Sequence, residues 1–295
     1  MTIVGIDLAG PDATAVAVDE HGQVVARAAR AINADPAGTA RAMVRDAFST
    51  GAPHRGVGVT IPFEDRVLSG AVSAAISEES GAAAVAVREG HALALAEAWC
   101  GVAAGCNNLI AFSIAEHVTA GILISGHLLK GAGGDAASVA WLALNPVERD
   151  DYRRYGGLEA EVAAAGIVRR LVWRIKSGDH SGVVERVNGN LARLTAEDVF
   201  SAARAGDGVC LSVVRDTAKY VGMAVANLAA IVDPECVVLG GVLASSSDLM
   251  AGAIRTEYVR RLSPAQGKRI PLILSTLGAE ARAIGAARAA LLERR

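Results

Sequence analysis

Val225-Ala226-Asn227-Leu228-Ala229-Ala230-Ile231-Val232-Asp233-Pro234-Glu235-Cys236-Val237-Val238-Leu239-Gly240-Gly241 is the stretch on which the fold turns. Apolar residues at helical spacing reach back from Ile231 to Gly208, which predicts one long helix. Asp233-Pro234 ends it, because proline brings no amide donor and its ring clashes with the preceding turn. Cys236-Val237-Val238-Leu239 is a short apolar run of the kind that forms a buried strand, and Gly240-Gly241 turns the chain into a further helix. Helix, sharp break, buried strand, turn and helix together are a unit of α/β architecture.

Working outward, the second half opens with a strand at Leu109–Ile114 and a hairpin partner at Ala120–Ile124. Ser125-Gly126 gives a turn and Leu128-Leu129-Lys130 a third strand. Helices then dominate: Leu158–Lys176, Thr195–Ala205 and the long helix already described. A late strand (Pro271–Ser275) and a helix (Glu280–Leu291) close the chain. The first half has the same plan. Ile3–Leu8, Ala13–Asp19 and Val24–Arg27 alternate as a three-strand meander, and Asp35-Pro36 starts a helix running to Phe48. Gly56–Ile61 is a buried strand ended by Pro62, and a short strand at Ala84–Val87 precedes a helix from His91 to about Ala103. Two successive meanders, each followed by helices, predict a duplicated α/β fold with a cleft between its halves.

A chain of 295 residues that is 52% hydrophobic can bury a large core and is long enough for two domains. Its formal net charge is -2 and no block of Lys or Arg stands out, which argues against nucleic acid or an anionic membrane as partner. The opening MTIVGIDLAG enters a strand at once and does not read as a secretory leader. Apolar runs such as AVANLAAIV are too short to span a membrane, so a cytoplasmic protein is expected. The four cysteines (Cys100, Cys106, Cys210, Cys236) show no CxxC spacing and read as small buried residues. The six histidines form no ligand pattern either.

Several segments in order resemble the ROK family (repressors, open reading frames and kinases) of the actin-like ATPase and sugar-kinase superfamily. The stretch from Val225 to Gly241 resembles the family's adenosine-side motif, "DPE-apolar-GG". Leu277-Gly278-Ala279-Glu280 and Ala283-Ile284-Gly285-Ala286-Ala287 are similar to its closing "LG…GAA" helix. Gly131-Ala132-Gly133-Gly134 and Gly156-Gly157-Leu158-Glu159 fall where it has a glycine-rich stretch and a "GCLE" box, and Gly5-Ile6-Asp7 where it opens. The resemblance implies a two-domain, ribonuclease H-like duplicated fold with an interdomain cleft. A smaller N-terminal domain would cover 1–106 and a larger one 107–279, with a helix over about 280–295 packing back on the first. It further implies a homodimer, a small-molecule sugar or nucleotide as partner, and ATP with Mg²⁺ as cofactors if the chain is active. In such kinases, glycine-rich hairpin turns wrap the phosphates, an aspartate takes the sugar proton and Mg²⁺ bridges the phosphates.

Each part departs from the family pattern. The first phosphate turn, "DxGGTK" in the family, reads Asp7-Leu8-Ala9-Gly10-Pro11-Asp12. Asp7 is the candidate Mg²⁺ carboxylate and Gly10 remains, but Ala9 adds a Cβ, Pro11 removes an amide and Asp12 adds negative charge. A plain Pro/Asp/Gly hairpin turn accounts for these residues as well. The second turn, "GTGxGGG" in the family, reads Ala115-Glu116-His117-Val118-Thr119-Ala120-Gly121. Gly121 is the retained glycine, and Glu116 stands where a threonine would meet phosphate. At an effective dielectric near 20, like unit charges about 4 Å apart cost about 4 kcal/mol. Gly240 and Gly241 are the remaining nucleotide-side candidates.

In the segment resembling "ENDANAAALAE", Glu89 takes the base position and Arg88 the preceding one. Glutamate moves the carboxylate by a methylene, and a misplacement of about 1 Å can cost roughly 10²-fold in rate. Glu89 is therefore the candidate general base, with ordinary cleft-lining charges as the alternative. His91 reads as a surface or capping residue. The family's sugar and zinc box aligns with Ala137–Trp141 and Asp150–Glu159. Ser138 replaces the sugar-binding glutamate and Trp141 a zinc-binding histidine, while Asp150, Tyr152 and Gly157 replace cysteines; no zinc site is expected. Trp141 would fill core space or stack on a sugar. Glu159, with Glu64 and Asp65 in the "GIPGPVD"-like turn, completes the substrate-side candidates, exposed loop acids being the alternative for the last two. The expectation is a ROK-type carbohydrate-kinase-like protein with weak or lost phosphoryl transfer and a residual sugar or nucleotide site. The alternative is an active ATP-dependent hexose or amino-sugar kinase using Glu89 as base.

Overall fold

Alternation along the first strand sets one half of the fold. In the computed structural model, which describes residues 2–10, 12–48, 54–61 and 66–293, Val4 and Ile6 enter one core while Ile3, Gly5 and Asp7 face the other way. In chain order the elements begin β1 (Thr2–Asp7), β2 (Asp12–Val18), β3 (Val24–Ala31), α1 (Pro36–Phe48), β4 (His54–Ile61), α2 (Arg66–Ser80), β5 (Ala84–Arg88) and α3 (Glu89–Cys100). Then come β6 (Leu109–Ile114), β7 (Val118–Ile124), β8 (His127–Leu128), α4 (Asp150–Tyr155), α5 (Gly157–Val162), α6 (Ala164–Lys176), α7 (Val183–Arg186), α8 (Ala196–Arg204) and α9 (Gly208–Val232). β9 (Cys236–Gly241), α10 (Val242–Ser245), α11 (Ser247–Arg261), α12 (Pro264–Arg269), β10 (Leu272–Leu274) and α13 (Ala281–Leu292) complete the chain.

The chain divides into two units, one made of 1–111, 120–137 and 275–295, the other of 112–119 and 138–274. In the first, a five-stranded sheet runs β3-β2-β1-β4-β5, with β1, β2 and β3 antiparallel and β1, β4 and β5 parallel. Met43 and Val44 of α1 and Val72 and Ile76 of α2 pack on Val4, Ile6, Val57 and Val59. Each such side chain contributes about 1.5–3 kcal/mol when fully buried. On the other face, Ala283, Ile284, Ala287 and Ala290 of α13 meet Ile3, Val16 and Val18. That helix carries Ala or Gly at most positions, as its place in a glycine groove demands. A Cβ on Gly5 would sit 1.8 Å from the Ala283 carbonyl oxygen, and one on Gly58 1.8 Å from that of Ala286.

A second five-stranded sheet runs β10-β9-β6-β7-β8. Ser125 and Gly126, at φ 51° and 78°, form a two-residue turn that pairs Ile124 with His127 and Leu123 with Leu128. In the second unit α9 is the central helix. The Asp207 carboxylate caps its start by accepting from the Val209 and Cys210 amides. Asp233, left-handed at φ 52°, closes it before Pro234. Among the described residues, no helix is long and apolar enough to cross a membrane.

Several expectations are corrected. No helix is expected from the sequence over Arg66–Ser80, yet α2 forms there because Val72 and Ile76 are fully buried. The single helix expected over Leu158–Lys176 is broken at Ala163, whose extended backbone (ψ 164°) separates α5 from α6. The third strand expected at Leu128–Lys130 is the two-residue β8. α3 starts at Glu89 rather than His91, directly on the end of β5. Trp141 is 51% exposed, so it fills no core; it lines a cavity of about 500 Å³ with Pro146, Tyr152 and Tyr220. Cys210 and Cys236 are buried, but Cys100 and Cys106 are only partly so.

Candidate functional site

Within the first unit, three element ends supply charged side chains to one place. β1 delivers Asp7 on the face turned toward α13, β5 runs without a loop into Glu89 at the start of α3, and α13 places Arg282 in its first turn. Arg282 Nε donates to Asp7 Oδ2 at 2.8 Å, and its Nη1 donates to Glu89 Oε2 at 3.3 Å. Both carboxylates are buried, with Asp7 2% and Glu89 6% exposed. The start of α3 also favours a carboxylate through its dipole. Burial raises the Asp7 pKa, opposed first by the Arg282 charge and then by the Ala9 amide, which donates to Oδ1 at 3.1 Å. Gly10 belongs to the same cluster: a Cβ there would lie 3.0 Å from Arg282 Nη2.

Arg88 and His91 extend this face. Arg88 Nη1 donates to the Gly134 carbonyl and lies 3.7 Å from Asp135 Oδ1, tying β5 to the glycine-rich segment. His91, expected at the surface, is 5% exposed, since α3 is buried on all sides through its first turns. Its pKa falls to about 4, chiefly through burial, then through the charges of Arg88 and Lys130, with a hydrogen bond to the Ala136 backbone acting the other way. Among the described residues its Nε2 has no hydrogen-bond partner. An unsatisfied buried nitrogen costs about 1–3 kcal/mol, and a ligand hydroxyl would relieve it.

The other sequence candidates lie elsewhere. Gly121 is a packing residue, since a Cβ there would be 2.0 Å from the Gly90 carbonyl oxygen. Gly240 is buried in β9, and Gly241, at φ 62°, turns the chain into α10 with its Cα against the Ile114 carbonyl. Ser138 precedes a short 3₁₀ turn, Val139–Trp141. Glu64, Asp65 and Pro11 lie outside the described residues.

In the second unit, the turn from β6 to β7 is Ala115-Glu116-His117, all exposed. Two amides at its ends serve the protein itself: Ala115 N donates to His117 O at 3.0 Å, and Val118 N, at the start of β7, to Glu159 Oε2 at 2.7 Å. Glu159 also meets His117 Nδ1 at 2.7 Å, so this sugar-side candidate fastens the hairpin. The segment aligned with the zinc box is pinned by charge. Arg149 pairs with Asp151 (2.7 Å) and Glu161 (3.2 Å), Arg169 pairs with Asp151 (2.7 Å), and Tyr152 and Arg170 hydrogen-bond Glu161. Among the described residues no group of three His, Cys, Asp or Glu side chains is placed to hold a metal ion.

Mg²⁺ does not fit Asp7 as the side chain stands. Divalent cations take carboxylate oxygens directly or through water. Here Oδ1 accepts from the Ala9 amide and Oδ2 from Arg282, whose positive charge lies between Asp7 and Glu89.

Two mixed sheets bearing helices define the two-domain actin-like ATPase and sugar-kinase fold. The chain belongs to the ROK family, whose family model matches residues 58–293. Over 219 residues it is 31% identical to a glucokinase of Halalkalibacterium halodurans, a match covering 71% of this chain and 64% of that protein. It therefore spans less than two thirds of that relative's length. In structure it is similar to a ROK glucokinase from Streptomyces griseus in complex with glucose and AMPPNP, with TM-score 0.82, 22% identity, and 99% of this chain and 100% of that chain covered. It is also similar to a ROK hexokinase from Thermus thermophilus, with TM-score 0.80, 24% identity and all of both chains covered. These two likenesses concern the fold. Arg282 and the buried state of His91 were absent from the sequence reading. A lone cation in the alanine-rich run Ala281–Ala287 was the available signal, because an arginine on a buried helix needs an acid.

Proposed function

We propose that the protein is a ROK-type carbohydrate-kinase-like protein that binds a small sugar or a nucleotide, with phosphoryl transfer weak or lost. The observation carrying this reading is the β6–β7 turn. The Ala115 amide in the turn and the Val118 amide that follows it are taken up internally, the latter by the Glu159 carboxylate, and Glu116 is exposed at the tip. Phosphate cradles work through unengaged N–H groups pointing at the ligand, and a carboxylate among triphosphate oxygens repels it. The unpartnered Nε2 of His91 supports a retained hydroxyl-bearing ligand. Glucose, which the S. griseus neighbour binds, is the first sugar to try.

The second reading, an active ATP-dependent hexose or amino-sugar kinase, is favoured by Glu89 and Asp7 sharing one guanidinium. A general base and a metal carboxylate both have to reach the reacting groups, and these two side chains are held in one cluster. In it Glu89 takes the sugar proton, and ATP and Mg²⁺ are required. The reading also carries a cytoplasmic homodimer over domains of 1–106 and 107–279, as the family resemblance implies. Melting-temperature scans with glucose, amino sugars, and ATP with Mg²⁺, followed by a coupled turnover assay, separate the two. Sugar-induced stabilisation without turnover supports the first. Turnover abolished by Glu89→Gln supports the second.

A further inference from the structure

The carboxylates that would define a metal site already share a cation. The three nitrogens of the Arg282 guanidinium are all accounted for. Nε meets Asp7 Oδ2, Nη1 meets Glu89 Oε2, and Nη2 fills the space beneath Gly10, where a Cβ would come within 3.0 Å of it. The side chain is 22% exposed and the two carboxylates 3% and 7%, so the triad is largely withdrawn from water. Its backbone is fixed as firmly. Thr60 Oγ1 donates to the Arg282 carbonyl at 3.2 Å, and the next turn of α13 lies in the groove made by Gly5 and Gly58. Two buried carboxylates facing one point need a positive charge between them, or one must take up a proton.

We propose that Arg282 is the resident cation of this site: its guanidinium holds the position that a divalent ion would need, and its removal opens a site for Mn²⁺ or Mg²⁺ on Asp7 and Glu89. The planar fork reaches both acids at once and cannot lose its proton at physiological pH, so one of the pair's two negative charges is permanently offset from within. Mg²⁺ and Mn²⁺ bind through one or two carboxylates while keeping several waters, and Asp7 and Glu89 are the carboxylates that meet Arg282 at this point. With Arg282 in place, a divalent ion would face a fixed positive charge and a carboxylate whose two oxygens are already accepting hydrogen bonds.

The inference deepens the reading of weakened phosphoryl transfer, and its test uses neither nucleotide nor sugar. Mn²⁺ alone is titrated into the full chain and followed by the electron paramagnetic resonance signal of the unbound ion, with melting temperature read in parallel. Arg282→Ala is expected to bind about one Mn²⁺ per chain at least tenfold more tightly than the unaltered protein, a factor of about ten being 1.4 kcal/mol, and to gain melting temperature from it. Adding Asp7→Asn to that variant returns both readouts to the starting values. Should Arg282→Ala fail to fold, Arg282→Gln keeps a hydrogen-bonding side chain without the charge and is expected to show the same gain. Mn²⁺ binding by the unaltered chain as tight as by the variants, or no gain in either variant, overturns the proposal. Turnover of a hexose by the unaltered protein would instead count against the weakened-kinase reading and leave the Mn²⁺ result standing.

Discussion

His91 is the residue whose ionisation the structure makes most measurable. Its pKa of about 4 lies below the ordinary value of 6.5, because burial and the nearby charges of Arg88 and Lys130 disfavour the imidazolium. An unfolded chain takes up a proton on this side chain below about pH 6.5 while the folded chain does not until about pH 4. Stability from this group is therefore complete above pH 6.5 and is lost as pH falls through the window, by about 3 kcal/mol in all. In urea unfolding at pH 7 and pH 4.5, His91→Gln is expected to lose less stability on acidification than the unaltered protein, even if it is less stable at both. Parallel pH curves would show that the imidazole is not held neutral. The candidate site was only partly legible at this scale. Motif order pointed to Asp7 and Gly10 in the first phosphate turn and to Glu89 in the catalytic segment, as residues of two different boxes. Arg282, which joins them, lies 275 positions from Asp7, and no local pattern connects the two. Glu159 was read toward a sugar, but side-chain geometry turns it to the Val118 amide and His117. A carboxylate at the start of a helix has several possible partners, and the sequence does not rank them.

At the scale of elements, close backbone approach governs the first unit. Gly58→Ala puts a methyl 1.8 Å from a carbonyl oxygen of a helix that cannot retreat without leaving the Gly5 contact as well. Its urea midpoint is expected to fall by an amount worth about 2–4 kcal/mol. Gly70→Ala in α2 is the comparison, since a Cβ there meets nothing within 4 Å. That change is expected to be stabilising by about 0.4–1 kcal/mol. Equal effects at the two positions would contradict the groove. Elements with a clean period were the ones that could be read: β1, whose residues alternate between two cores, and α9, whose end is marked by Asp233-Pro234. α2 was missed because Ser, Gly and Ala dominate it and its anchoring side chains, Val72 and Ile76, gain meaning only against the sheet. The break at Ala163 leaves no mark in an alanine-rich run, because it rests on one extended residue.

At the scale of the molecule, the ordered set of motifs marked the ROK family and the actin-like fold, and the family match over 58–293 with the structural likenesses established both. The packing motifs are small residues that must sit where helices and strands touch, as at Gly5, Gly58 and Gly241. The chemistry does not follow from the fold, because function depends on what the side chains at the site can still do. Here a buried carboxylate pair already shares the single positive charge of Arg282, and Glu159 is engaged by His117 and by the Val118 amide beside the turn that would grip phosphate. The most direct measurement is a coupled assay of glucose phosphorylation at saturating ATP and Mg²⁺, preceded by a melting-temperature scan with glucose alone. The account predicts stabilisation by the sugar and turnover at least about 10²-fold below the 1–100 per second typical of kinases. Turnover within that ordinary range, abolished by Glu89→Gln, would contradict it.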